Sequence, residues 1–236
     1  MTLHGLHDAA TVARLVGAER PSCKSIALDT TDPSRVLFSF VDGNPLGPGW
    51  LVDLDLPGER IACWSGTLDL ESVANGDLFS PHPHNWMNPG SEALDRFLDE
   101  MIPELERHER RLCLIPHARH VLSDVQGSIN LLRARGSAPI EVALSPVSLL
   151  TPSMLDTLEE HLERSFETLA EQAPFLYLHD AAIDRHRDLL TPTAMGSGVI
   201  DANVMREAIR RHWPADKPVV IPAGDLAARS EWLPEA

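Results

Sequence analysis

The 236-residue chain lacks most of what would tie it covalently, or hold it to a membrane or a nucleic acid. Its three cysteines, Cys23, Cys63 and Cys113, stand far apart, in or beside apolar runs. That pattern excludes a disulfide framework and points to reduced core thiols, and so to a cytoplasmic setting. No segment approaches eighteen apolar residues, and Met1 to Ala10 has no basic start followed by an apolar block, so neither membrane insertion nor export is expected. Basic residues are scarce, 20 against 35 acidic, for a formal net charge of −15. No basic cluster offsets this: Arg107, Arg110 and Arg111 alternate with acids, and Arg210-Arg211 closes a helix, where cations suit the macrodipole. A nucleic acid or anionic lipid partner is therefore excluded. There is no Gly-x-Gly-x-x-Gly after an early strand, no Gly-Lys-Ser/Thr phosphate loop and no Gly-x-Ser-x-Gly elbow.

What is present suffices for one core: 43% hydrophobic residues over this length predict a single domain spanning 1–236. Residues 7–16 carry Ala9, Val12, Leu15 and Val16 at helical spacing, with Gly17 as a stop. Residues 24–29, 35–41 and 50–54 read as strands, the last two paired as a hairpin across Asp42-Gly43-Asn44-Pro45 and Gly47-Pro48-Gly49. Further strands are predicted at 60–65 and 77–80, then a proline-rich loop over 80–90. Ser91 is expected to cap a helix reaching Arg110, bent at Pro103.

From there the alternation becomes regular. Strands at 112–116, 140–144, 175–179 and 218–221 are interleaved with helices at 123–135, 152–172 and 201–212, and a loop fills the chain from His179 to Ser197. Parallel strands with helical crossovers are implied. The expected architecture is α/β: an eroded (β/α) TIM-type barrel of parallel strands with an irregular N-terminal half, preferred over an open doubly wound sheet. Such barrels keep their chemistry at the C-terminal ends of the strands. Here those ends read Ile115-Pro116-His117, Ser145-Pro146, Tyr177-Leu178-His179-Asp180 and Ile221-Pro222.

Three pieces of the chain between about Ser91 and Gly224 carry a family likeness. Met195-Gly196-Ser197-Gly198-Val199-Ile200-Asp201, Phe175 to Asp180, and Ile115-Pro116-His117-Ala118-Arg119 resemble, in order and spacing, motifs of the xylose-isomerase-like barrel superfamily, which includes sugar-phosphate isomerases and epimerases. In that family a glutamate, an aspartate, a histidine and a second glutamate at successive strand ends hold a divalent cation that polarises a carbonyl. The resemblance places these ligands on Ile115, Ser145, Tyr177, and Pro222 or Ile221. Ile115 and Pro222 offer no side-chain oxygen, so the expectation is no metal and no other cofactor.

Residues two apart on a strand share a face, which brings His179 beside Tyr177 at the barrel mouth. His179 and Asp180 are the candidate catalytic pair, although Asp180 reads equally as a cap for loop amides. His117, Arg119, His120, Tyr177 and Arg185 are candidate ligand-binding residues, with His82 and His84 on the proline-rich loop as further ones. Asp201 reads as a helix N-cap, and Ser145 has nothing in the sequence to activate it. The reading is a barrel with a degraded metal site that binds a small polar, sugar-like molecule. Its rivals are an active sugar or sugar-phosphate isomerase or epimerase using a displaced, metal-dependent site, and an interaction subunit or homo-oligomer built on exposed barrel edge.

Overall fold

The computed structural model describes residues 1–16 and 23–234. The chain runs β1 (Leu3–Asp8), α1 (Ala9–Val16), β2 (Ser25–Asp29), β3 (Val36–Phe40), β4 (Arg60–Trp64), α2 (Leu70–Ala74), α3 (Asn88–Arg107) and β5 (Arg111–Ile115). It continues with α4 (Val125–Arg135), β6 (Ile140–Val142), α5 (Leu158–Leu169), β7 (Leu176–Tyr177), β8 (Asp180–Asp184), β9 (Leu189–Thr193), α6 (Ala202–His212), β10 (Val219–Pro222) and α7 (Arg229–Trp232). Eight of the strands form one sheet in the order β6-β5-β4-β3-β2-β1-β10-β7. Every pairing is parallel except the two that β2 makes, with β1 and β3. The sheet curls until its two edges touch: Leu144 and Leu176 form a parallel bridge, with the Tyr177 amide donating to the Leu144 carbonyl at 2.8 Å. This is an eroded α/β barrel, as expected.

Side chains fill the interior. Phe38 on β3 and Phe175 at the start of β7 stack with ring centroids 4.5 Å apart. In the sheet order these strands lie four places apart, on opposite walls, so the two rings meet across the axis. Room for them comes from small neighbours in the same cluster: Ala27, Ala62, Cys113 and Ala143. On the outer face, Leu94, Leu98 and Leu105 of α3 pack with Ile61, Leu112 and Leu114, while Leu162, Phe166 and Leu169 of α5 pack with Leu176 and Val219. Cys63 and Cys113 are fully buried and Cys23 nearly so; all three are free, and burial pushes each thiol's pKa up.

The first half departs from the sequence reading in its details. Leu3–Asp8 is a strand, with helix only from Ala9. Gly17, the expected stop, lies outside the described residues. The hairpin joins β2 to β3 rather than residues 35–41 to 50–54, which are not a strand pair, and β3 lies parallel to β4. Residues 77–80 are not a strand, and α3 starts at Asn88, capped by Met87 instead of Ser91. The loop expected after His179 holds the antiparallel pair β8 and β9. Pro103 lies inside α3, and Asp201 does cap α6, accepting from the Asn203 and Val204 amides. Among the described residues, no helix is long and apolar enough to cross a membrane.

Truncating Phe38 to alanine removes half of the axial ring pair, in a site whose walls are already built from small residues. A loss of about 3 to 5 kcal/mol is expected. In a chain of this size that lowers the thermal midpoint by about 10 °C, read by circular dichroism.

Candidate functional site

The mouth of the barrel, at the C-terminal ends of the parallel strands, gathers three imidazoles. β5 runs on through Pro116 into a tight turn in which the His120 amide donates to the His117 carbonyl at 2.8 Å. His117 Nδ1 accepts the Arg119 amide at 3.1 Å, so a neutral His117 carries its proton on Nε2. His120 Nε2 lies 3.2 Å from the Leu78 carbonyl, which can only accept. The proton therefore sits on that nitrogen, and His120 Nδ1 is a buried lone pair with no partner among the described residues. Phe79 stacks on His120 at 5.3 Å and lies 4.5 Å from His117, and Trp64 presents its edge to both rings.

His179 follows β7, two strands from β5 around the closed barrel, and closes a relay. Its Nδ1 donates to the Asp180 carbonyl at 3.0 Å, which leaves Nε2 to accept from the Ser148 hydroxyl at 3.1 Å. Ser148 in turn lies 2.7 Å from Ser145. Burial lowers the pKa of all three imidazoles. His117 is held well below its ordinary value, first by burial and then by His120 and His179 nearby, and burial takes His120 to about 4. At neutral pH the three imidazoles are thus neutral donor and acceptor pairs rather than cations.

Asp180 is committed elsewhere. Its Oδ1 accepts the amides of Ala181 (2.7 Å) and Ile200 (3.2 Å), and its Oδ2 those of Gly196 (3.1 Å) and Gly198 (2.8 Å). The carboxylate ties β8 to the turn before α6, the amide-capping alternative of the sequence reading. Gly198 approaches so closely that a Cβ there would stand 2.3 Å from Asp180 Oδ1 and from the Ala181 carbonyl.

The remaining candidates divide. Tyr177 is half-buried, its ring 5.2 Å from His179, and burial together with Asp225 pushes its phenol up to about 12. Arg119 reaches over the mouth to the carbonyls of Arg187 and Asp188, while Arg187 pairs with Asp77, so the β8–β9 hairpin is strapped beside the Phe79 segment. Arg185 is not brought into the mouth; it is exposed in the turn of that hairpin. His82 and His84 face each other edge-on at 5.2 Å on the outer loop, and His84 is exposed. Asn85 does not join them. It is buried, donates to Thr67 Oγ1 and the Arg119 carbonyl at 2.8 Å each, and accepts the Leu68 amide. Sequence reasoning missed Ser148, Trp64 and Phe79, none of which belongs to a motif.

The donor set at the strand ends does not fit a divalent cation of the kind the resemblance implies. Ile115 presents only methyl groups, Ser145 is hydrogen-bonded to Ser148, Tyr177 is held as a neutral phenol, and Pro222 has no donor at all. Among the described residues, one group of three donors comes close enough together to hold an ion: Glu163, Glu167 and His212, on α5 and α6 outside the barrel. There Glu163 is already paired with both Arg211 and His212.

The buried imidazoles make stability depend on pH. Unfolded, they take up a proton near pH 6.5; folded, they resist until well below it. Between those limits the unfolded state binds more protons, so the folding free energy weakens as pH falls and levels off above about 7. His120 alone contributes about 3 kcal/mol to that loss between about pH 6.5 and pH 4. Denaturant unfolding at pH 7.5 and 4.5 is expected to differ by at least this amount, and the difference should shrink in His120→Phe.

No protein-family model and no curated protein matches the sequence. Solved structures do match the fold. The chain is similar to the probable 3-DHS dehydratase AsbF of Bacillus anthracis, involved in petrobactin synthesis, with a TM-score of 0.53 at 8% identity over 84% of this chain and 73% of that one. It is also similar to a xylose isomerase domain protein from Planctomyces limnophilus (TM-score 0.48, 13% identity, 74% and 58% covered). A D-psicose 3-epimerase solved in the presence of D-fructose matches as well (0.46, 11%, 74% and 55%). The chain spans little more than half the length of these last two proteins. At such identities the likeness speaks to architecture alone, the α/β barrel fold that this chain shares with AsbF.

Proposed function

We propose that residues 1–236 form one xylose-isomerase-like barrel whose metal site is degraded and whose mouth binds a small polar, sugar-like molecule without a cation. The observation that carries this reading is the replacement of charged oxygen ligands at the strand ends by neutral imidazoles and hydroxyls. A polyol offers hydroxyls that both donate and accept. His117 Nε2–H, the lone pair of His120 Nδ1 and the Tyr177 phenol supply the complementary set. Trp64 and Phe79 add aromatic faces for the C–H side of a sugar ring. Hydrogen-bonding partners of this kind confer selectivity, because a ligand lacking a hydroxyl leaves a buried group unpaired.

One feature favours a second reading, an active isomerase or epimerase with a displaced site. In the Ser145–Ser148–His179 chain the lone pair of His179 already faces a hydroxyl, which is the geometry of a general base. Asp180 has no part in that reading, since its oxygens serve four amides.

Purified protein incubated with manganese, cobalt or magnesium and then desalted is expected to retain well below one ion per chain by elemental analysis. One tightly held ion, lost on His179→Ala, would overturn the proposal. In a panel of ketoses and aldoses, saturable binding without turnover is expected. Turnover abolished by His179→Gln would instead establish the second reading.

A further inference from the structure

A second cavity lies at the far end of the barrel from the mouth. The N-terminal ends of β1 and β10, the turn after β2, the end of α6 and helix α7 enclose a cleft of about 880 Å3. That is the size of a small-molecule site. Its wall is largely apolar, with Leu3, Trp213 and Leu233 among the lining side chains.

The charges on this cleft run against those of the chain. In a protein with a formal net charge of −15, the ionised side chains lining it among the described residues are Arg210, Arg229 and Asp29. Asp29 is already engaged: its Oδ1 accepts from the Thr31 amide at 2.8 Å, the Thr31 hydroxyl at 2.7 Å and the Asp32 amide at 3.3 Å. Its Oδ2 faces Arg35 at 3.9 Å. Arg210 holds Glu207 through Nε and one terminal nitrogen, leaving its other terminal nitrogen free of that pair. Arg229 has no ion pair among the described residues, and it is exposed at the rim. Trp213 is buried in the wall, and its indole N–H has no partner among the described residues.

We propose that this cleft is a binding site for a small amphipathic carboxylate, an aryl or medium-chain alkyl acid. Its apolar body lies against Trp213 and Leu233, and its carboxylate takes the guanidinium of Arg229. A cation is repelled by the same arginines, and a neutral chain leaves Arg229 unmatched. The site shares no residue with the mouth, so it stands or falls independently of the sugar-like ligand proposed there.

Isothermal titration of the full chain with octanoate and with phenylacetate tests this, with octylammonium as the control of opposite charge. Saturable binding of at least one carboxylate, one per chain, is expected, with none for octylammonium. Arg229→Glu is expected to weaken binding by at least about tenfold, a difference of about 1.4 kcal/mol. Ser230→Trp, which fills the cleft from its rim, should do likewise. Both positions are exposed, and an unchanged circular dichroism spectrum verifies that the variants fold. Absence of saturable carboxylate binding, equal binding of octylammonium, or unchanged affinity in a folded Arg229→Glu would each overturn the proposal.

Discussion

Two phenyl rings meeting on the axis set the geometry of this barrel. Phe38 and Phe175 come from opposite walls, and their contact fixes how far apart those walls stand. Such a pair fits because alanine and cysteine occupy the neighbouring inward positions, where larger side chains would force the wall outward. With the curvature fixed, edge strands of only three and two residues are brought within reach of each other at Leu144 and Leu176. The inward positions farther along β5 and β7 are then carried to one end, which is how His117 and His179 come to share a mouth.

At that mouth the fold separates architecture from chemistry in an unusual way. The one carboxylate on the β7 strand end, Asp180, serves as a four-amide anchor for the turn before α6, and the glycine it touches has no room for a side chain. What remains among the strand-end side chains is neutral, with the Arg119 guanidinium lying over them. Burial keeps all three imidazoles neutral, and His120 and His179 further disfavour protonation of His117.

The sequence was most legible where each element follows its local pattern. The strands and helices from Arg111 onward alternate at spacings that only crossover connections satisfy, and Asp201 announces the start of α6. The first half was hidden because its strands lack a periodic apolar signal. β1 contains His4, Gly5 and His7, and the turn-rich stretch before β4 suggests a hairpin that a parallel pairing overrides. β8 and β9 were hidden for a different reason: the stretch after His179 read as a loop, although the polar run Asp184 to Asp188 between two apolar segments is itself a hairpin signal. In the site, His117, His120 and His179 were visible as strand-end residues. Ser148, Trp64 and Phe79 were not, since each reaches the mouth through tertiary packing alone, and Arg185 was aligned by distance along the chain but faces outward.

The sulfur chemistry of the core has a bearing on where such a chain can persist. Three free thiols, two of them enclosed completely and all disfavoured as thiolates, are shielded from oxidants and from one another by the surrounding hydrocarbon. For Cys63 and Cys113, enclosure in the folded molecule leaves no path for a reagent. Mispairing through Cys63 and Cys113 therefore requires the chain to open first.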